Sequence, residues 1–388
     1  MDVARFDQSS IGHLEPITGE HRGRPFEHFA FVPDDLPGRI DLSPPTLLRL
    51  TAAHGAVTRL DGAGHRIPNP QILVRPTIRQ EAVSTSALEG TYTTLPRLLQ
   101  SELFEDEQNP SREDDEVLGY VRASEEGFRR IKDRPVSLNM IKDLHAILLA
   151  NDPAVPDSEK GEFRRKHVFI GPSEAAVEDS YFVPTVHGKL LTGLHSWEGW
   201  IHNDELPVLV RAAIGHYQFE TLHPFVNGNG RIGRLIVLLM LLEDGTLSEP
   251  LLSISPYLEV RRDEYHERLR SLSAEGNFDS WVAFFLDAIK SSAEVGLDKI
   301  ERLLKLQAEM VAKLRGARVR GLSIQATEDL IAQPVITAMA IARKYKVTPQ
   351  AAYYTLKKMK QVGVVKEGVL DNGRHIYACF PVIDIIQP

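Results

Sequence analysis

Residues 223–234 read HPFVNGNGRIGR, a stretch that packs a histidine, two glycines around an asparagine and two arginines into twelve positions. Gly228 and Gly230, separated by Asn229, let consecutive backbone N–H groups converge where a helix begins, which is how a polypeptide builds a phosphate site. Arg231 and Arg234 are three apart on the first turn, so they share a side and can donate charge-assisted, often bidentate bonds to phosphate oxygens. Basic residues there oppose the helix dipole unless an anion is bound. His223, at the mouth of this site, is the right side-chain type for a general base on a hydroxyl. Each piece alone has an ordinary explanation, since a His before Pro is usually packed or at the surface and a GxG is usually a turn. Their order, between two helices, points to transfer of a phosphorus-containing group.

Holding such a loop requires one helix to end before it and another to start after it. Helical patterns at 206–221 and 231–243 meet that need, and the run 235–242 is apolar on every face, which predicts a buried central helix. A helix is expected at 78–89, with Thr77 and Gln80 as a capping box and Gly90 as its stop. Further helices are expected at 95–104, 114–132, 137–149, 263–273 and 278–314. The β-prone runs 168–170 and 181–183 flank Gly171, Pro172 and Ser173 and predict a small two-stranded flap. The first ~70 residues, rich in Pro and Gly, read as an extended arm with one helix at 45–54.

The C-terminal segment predicts short helices at 324–332 and 335–344, then a third with Thr348 as N-cap, Pro349 in its first turn and Ala352, Leu356 and Met359 on one face. Two β-prone runs, 364–365 and 375–380, flank Asp371, Asn372 and Gly373, a strong hairpin-turn signal. Three helices and a hairpin make a winged helix-turn-helix. Lys357, Lys358 and Lys360 fall away from the apolar face, Tyr353 and Tyr354 lie beside them, and Arg374 sits near the hairpin tip. The module reads either as a DNA binder or as a protein-interaction winged helix with a solvated basic face.

The chain has 388 residues, 43% of them hydrophobic and 25% charged, as in an ordinary soluble globular protein of two or three domains. Its net charge of −8 is uneven: residues from 316 onward carry an excess of basic side chains, while the remainder is strongly acidic, so two kinds of partner are expected. One cysteine, Cys379, excludes an intramolecular disulfide framework and a Cys-rich zinc site. The polar, acid-bearing N-terminus has no signal-peptide pattern, and the run 235–242 is too short to span a bilayer. A cytoplasmic protein with no membrane partner is expected.

Residues 223–234 resemble the HPFx(D/E)GNGRxxR signature of the Fic (filamentation induced by cAMP) family, departing from it only at Asn227. Gly161, Glu162, Phe163 and Arg164 resemble the segment before the family's flap, and the resemblance covers most of 77–287. It implies a mainly α, Fic-type helical bundle with a β-hairpin flap, here joined to a C-terminal winged helix-turn-helix. It also implies transfer of AMP from ATP to a hydroxyl side chain of a target protein. By position, His223 would deprotonate the hydroxyl, Asn229 and the Gly228 and Gly230 amides would hold the α-phosphate, and Arg231 and Arg234 the β- and γ-phosphates. Phe225 would pack the loop onto the core. Tyr257 and Tyr265 resemble adenine-pocket positions, with ordinary helix packing as the alternative. The family's acid at the position of Asn227 ligates Mg²⁺, so Asn227 is expected to be a weaker ligand. Gly230 stands where the related Doc kinases carry Lys, which argues against simple phosphoryl transfer.

Thr85, Ser86, Ala87, Leu88, Glu89 and Gly90 resemble the family's (S/T)xxxE(G/N) inhibitory motif, and in this chain the implied pair is Glu89 with Arg234. The expected organisation is an arm and inhibitory region at 1–115, a catalytic domain at 116–300 and a winged helix at 316–388. Expected partners are a target protein, the chain itself as a substrate, DNA through the winged helix, and a second copy in a homodimer. Two other functions stay open: a DNA-binding regulator with a low-activity Fic domain, and transfer of another phosphate-containing group.

Overall fold

The computed structural model describes residues 1–65, 69–103, 111–172, 176–369 and 374–387. In chain order its elements are α1 (Val3–Phe6), β1 (Gly12–His21), β2 (Arg24–Pro33), α2 (Pro44–His65), α3 (Gln71–Leu88), α4 (Leu95–Leu103), α5 (Arg112–Arg130) and α6 (Leu138–Leu148). A 3-10 turn (Val177–Asp179), α7 (His187–Ile201), α8 (Val208–Leu222), α9 (Asn229–Glu243), α10 (Ser255–Val260), α11 (Arg262–Glu275) and α12 (Phe278–Gly316) follow. The chain closes with α13 (Leu322–Ala332), β3 (Val335–Ile336), α14 (Ala338–Tyr345), α15 (Pro349–Gln361), β4 (Lys366–Val369), β5 (His375–Ala378) and α16 (Phe380–Ile386). The fold is mainly helical. It divides into two compact units, one of residues 1–57, 119–248 and 257–291, the other of residues 58–118, 249–256 and 292–388.

In the first unit α9 is buried from Asn229 to Leu241, as its all-round apolar sequence requires. Helix α8 lies against it at Gly233, where a Cβ would come within 2.3 Å of Glu220 Oε1 and 3.2 Å of Phe219 Cδ1. A Cβ there would have to push the Glu220 carboxylate aside. Helix α6 starts at the N-cap Ser137, whose Oγ accepts from Met140 N.

The arm expected over the first residues is instead a β-hairpin, β1 pairing with β2 from Gly12 opposite Pro33 to His21 opposite Arg24. It escapes sequence reading because Ile17 is the one fully buried side chain of β1, so the strand lacks the alternation that marks a half-buried sheet. Phe6, Phe26 and Phe31 pack with Phe182 and Val183 in a core of their own. The flap is smaller than expected: among the described residues it is a single antiparallel bridge, Ile170 with Phe182. Ser173 lies outside the described residues.

In the second unit α3 begins at Gln71, well before the expected start. Thr77 is no cap; its Oγ1 donates to Leu73 O at 2.9 Å inside the helix, and Pro76 sits in the same turn. Gly90 does stop the helix, at φ 91, with Thr91 N closing on Ser86 O. Polar side chains fasten α3 along its length. Arg79 grips Glu102 through Nε and Nη2 at 2.7 and 2.6 Å, and Glu81 accepts from Ser253 Oγ at 2.7 Å and Ser255 N at 3.0 Å.

At the C-terminus β3, β5 and β4 form an antiparallel sheet in that order, with α14 and α15 packed together beside it. Thr348 caps α15 through its side chain, and Ala352, Leu356 and Met359 are fully buried. Two expectations need correction. Val335 and Ile336 are a strand rather than the start of a helix, consistent with their β-branched side chains. The second strand run begins at Lys366, after Val364 and Val365, which are buried ahead of it. Residues 371–373 and Phe104 lie outside the described residues.

Candidate active site

Helix α8 ends on His223, whose φ of 48° puts a non-glycine residue in the left-handed region at a cost of about 1 kcal/mol. The imidazole is partly exposed, and its Nδ1 faces Glu220, 3.3 Å from the backbone oxygen and 4.0 Å from Oε2. That geometry fixes Nδ1 as the protonated nitrogen and leaves Nε2 as the basic one. Glu220 Oε1 also lies 4.0 Å from His216 Nδ1, so one nearly buried carboxylate stands between two histidines.

The loop is held by side chains whose roles the sequence does not announce. Arg164 donates from Nε to His223 O at 2.8 Å, and from Nη2 to Leu222 O at 3.1 Å and Thr185 O at 2.6 Å. Its Nη1 reaches Lys166 O, and its backbone N donates to Pro224 O. One buried guanidinium therefore ties the loop to both ends of the flap. Burial lowers its pKa to about 10, so it remains a cation. Phe225 is fully buried and stacks on the His145 ring, centroids 3.7 Å apart and 6° from parallel. Gly161 N donates to His145 Nδ1, so Nε2 carries the proton and donates it to Asn227 O at 3.0 Å. Burial drives the His145 pKa down to about 4, keeping the ring neutral. The signal for it was a lone His on the apolar face of Ile141, Leu144 and Leu148.

Within the loop, several expected ligands have other duties. Asn229 accepts from Phe225 N at 2.8 Å and donates to Phe225 O at 2.9 Å, so its amide shapes the turn. Gly228 takes φ 76, and its N–H donates to Asn227 Oδ1 at 2.7 Å. It therefore contributes conformation and no free donor, a correction to its expected role. The Asn227 side-chain oxygen accepts that one bond and keeps a second lone pair, and its Nδ2 points at Asp152 Oδ2, 3.4 Å away. The N–H groups of Asn229 and Gly230 make no hydrogen bond among the described residues. They open α9 together with Arg231 and Arg234, both 2% exposed. Two buried cations and two open N–H groups at a helix N-terminus are arranged for an anion.

The other expected residues lie on other elements. Tyr265 is buried, and its hydroxyl is 2.7 Å from His216 Nε2 among Trp281 and Phe285; its placement is that of a packing residue. Tyr257 is half-buried under the Arg261 guanidinium, 4.0 Å from the ring centroid. Glu89, in the second unit, is an exposed C-cap of α3.

Comparison with known proteins accounts for this loop. Residues 47–129 match the family model described as Fic/DOC family N-terminal, and residues 135–241 match Fic/DOC family. The chain thus carries a Fic/DOC domain preceded by the family's N-terminal domain, and α8, the signature loop and α9 lie in the former. It is similar to the protein adenylyltransferase Fic of Drosophila virilis, 30% identical over 195 residues that make up 50% of this chain and 35% of the relative. The protein of the same name from Drosophila ananassae is 27% identical over 230 residues, 56% of this chain and 41% of its own. The chain therefore spans well under half the length of these relatives. A Fic family protein from Desulfovibrio desulfuricans shares the fold, with TM-score 0.55 and 17% identity over 88% of this chain and 97% of that one. Among the described residues no helix is long and apolar enough to cross a membrane.

Proposed function

We propose that this chain transfers AMP from ATP to a hydroxyl side chain of a target protein. The observation that carries the reading is the pairing of a partly exposed His223 Nε2 with the anion site at the start of α9. Nε2 takes the proton of the hydroxyl, the freed oxygen attacks the α-phosphorus, and the bond to the β-phosphate bridge breaks to release pyrophosphate. The open N–H groups of Asn229 and Gly230 and the Arg231 guanidinium stabilise the charge that develops on the α-phosphate; Arg234 holds the departing phosphates. The names of the Drosophila relatives agree with AMP as the group transferred.

Asn227 Oδ1 accepts from Gly228 N and keeps a second lone pair for a weak metal contact, while no group of three His, Cys, Asp or Glu among the described residues converges on a point. Magnesium would therefore come chiefly on the phosphates of MgATP. An aspartate at 227 would keep the bond from Gly228 N and set a second carboxylate against Asp152, a pair that a divalent cation relieves. Asn227→Asp should therefore raise transfer and lower the Mg²⁺ concentration for half-maximal rate by several-fold, read by titrating Mg²⁺ at fixed ATP. Unchanged Mg²⁺ dependence would separate residue 227 from the phosphate site.

Glu89 is proposed to repress the activity by pairing with Arg234 in the place of the γ-phosphate. For the C-terminal module a second reading, DNA binding, draws support from α15, where Tyr353, Tyr354, Lys357 and Lys358 are all exposed. Lys360 is also exposed but is tied to Glu367. Changing Lys357 and Lys358 to Glu should abolish salt-sensitive retention of the full chain on duplex DNA. If wild type is not retained even at low salt, the module binds protein instead.

A further inference from the structure

The N-terminal hairpin ends beside the signature loop. Its strands stay paired to His21 and Arg24 and close in a two-residue turn, with Arg22 at φ 53 and Gly23 at φ 74. Two positive φ values define a type I′ turn, in which Asn-Gly or Gly-Gly is the unstrained choice. Arginine in the left-handed region is sterically disfavoured. Nothing in the packing compensates, because Arg22 is exposed and makes no ion pair among the described residues. The turn itself is firmly placed. The His21 ring lies 4.8 Å from Phe169, the Phe26 ring 5.3 Å from Phe169, and Phe31 N donates to Val183 O at 2.9 Å.

The turn, the flap and the signature loop line one cleft of about 670 Å³, with His21, Arg22, Lys166, Phe169, Val226 and Asn227 on its walls. On the flap side His167, Val168 and Phe169 form no main-chain hydrogen bond among the described residues. Such an edge accepts an extended chain through its own N–H and C=O groups. Among the described residues Glu159 is the one acidic side chain lining the cleft, and its carboxylate is already bonded to Lys166 Nζ at 2.7 Å. Arg22 also lines a second pocket with Glu178 on its wall, and among the described residues it forms no ion pair.

We propose that Arg22 is a specificity-determining residue for the target protein, reading an acidic side chain on the extended segment that carries the acceptor hydroxyl. The inference rests on the transferase reading above. The segment lies along His167–Phe169, with its hydroxyl toward the signature loop and its acidic residue under the hairpin turn. The Arg22 charge at the turn is the group that contacts the target.

The test is binding of fluorescein-labelled threonine peptides of equal length, carrying Glu or Lys on both sides of the threonine, to the full chain at low salt, followed by anisotropy. Wild type should prefer the Glu peptide about fivefold, in keeping with an exposed ion pair. Arg22→Asn, which suits the type I′ turn better than arginine and so keeps the hairpin folded, should remove the preference. Arg22→Glu should reverse it, while affinity for a non-hydrolysable ATP analogue stays unchanged in both. A wild type without preference, or the same preference in all three proteins, overturns the proposal. Because the readout is binding, it stands apart from transfer: if the preference follows the prediction but none of the three proteins transfers AMP even when each also carries Glu89→Gly, the result counts against the transferase reading alone.

Discussion

His223→Ala should lose transfer by about 10²–10⁴-fold while binding an ATP analogue nearly as wild type does. The separation follows from the geometry. His223 caps α8, and the contacts that fix the loop run through its backbone oxygen, which Arg164 holds, and through Phe225 and Asn229. None of these needs the imidazole. Alanine gives up a base and keeps the anion site. Single-turnover rates and calorimetric titration of the analogue, run on the same protein samples, check both halves. Full activity in His223→Ala would remove the mechanism. A joint loss of rate and affinity would instead mean that the imidazole props the loop.

Glu89→Gly and Arg234→Ala should act in opposite directions although both break the same proposed pair. Removing the carboxylate vacates the γ-phosphate position, so ATP no longer has to displace it. A coupling of this kind is worth about 1–3 kcal/mol, or about 5–150-fold in apparent affinity. The larger effect should be on rate, because a triphosphate forced around Glu89 presents its α-phosphorus out of line with the hydroxyl. Arg234 is buried on the first turns of α9, and its loss would remove the proposed phosphate ligand itself. Glu89→Gly should also modify itself. Equal affinity and equal silence in wild type and Glu89→Gly would falsify autoinhibition.

The buried helix α9, its start after the Gly-Asn-Gly turn and the start of α15 were legible in the sequence because each rests on a local rule. An apolar run on all faces is buried, glycine at 228 permits the positive φ from which α9 begins, and Thr348-Pro349 supplies an N-cap and a first-turn residue. What stayed hidden depends on partners distant in the chain. The hairpin is stabilised by Phe6, Phe182 and Val183, so β1 needs little apolar patterning of its own. Arg164 and His145 look ordinary in sequence, and they matter because each bonds to backbone groups some 60 to 80 residues away. The same limit applied to Asn227 and Gly228. Residue types suggested a metal ligand and an anion donor; the bond between the Gly228 N–H and Asn227 Oδ1 is a detail set by side-chain rotation. Tyr265 was open between an adenine-pocket position and ordinary packing, and its bond to His216 places it in the buried core.

The most direct test of AMP transfer uses ATP labelled at either the α- or the γ-phosphate. Glu89→Gly and the double variant Glu89→Gly/His223→Ala are incubated with each, alone and with a cell lysate, and protein-bound label is measured. The account predicts α-label on protein with the single variant, with a mass gain of one AMP, and none with the double variant. Label arriving only from the γ-phosphate, or α-label that persists without His223, would contradict it.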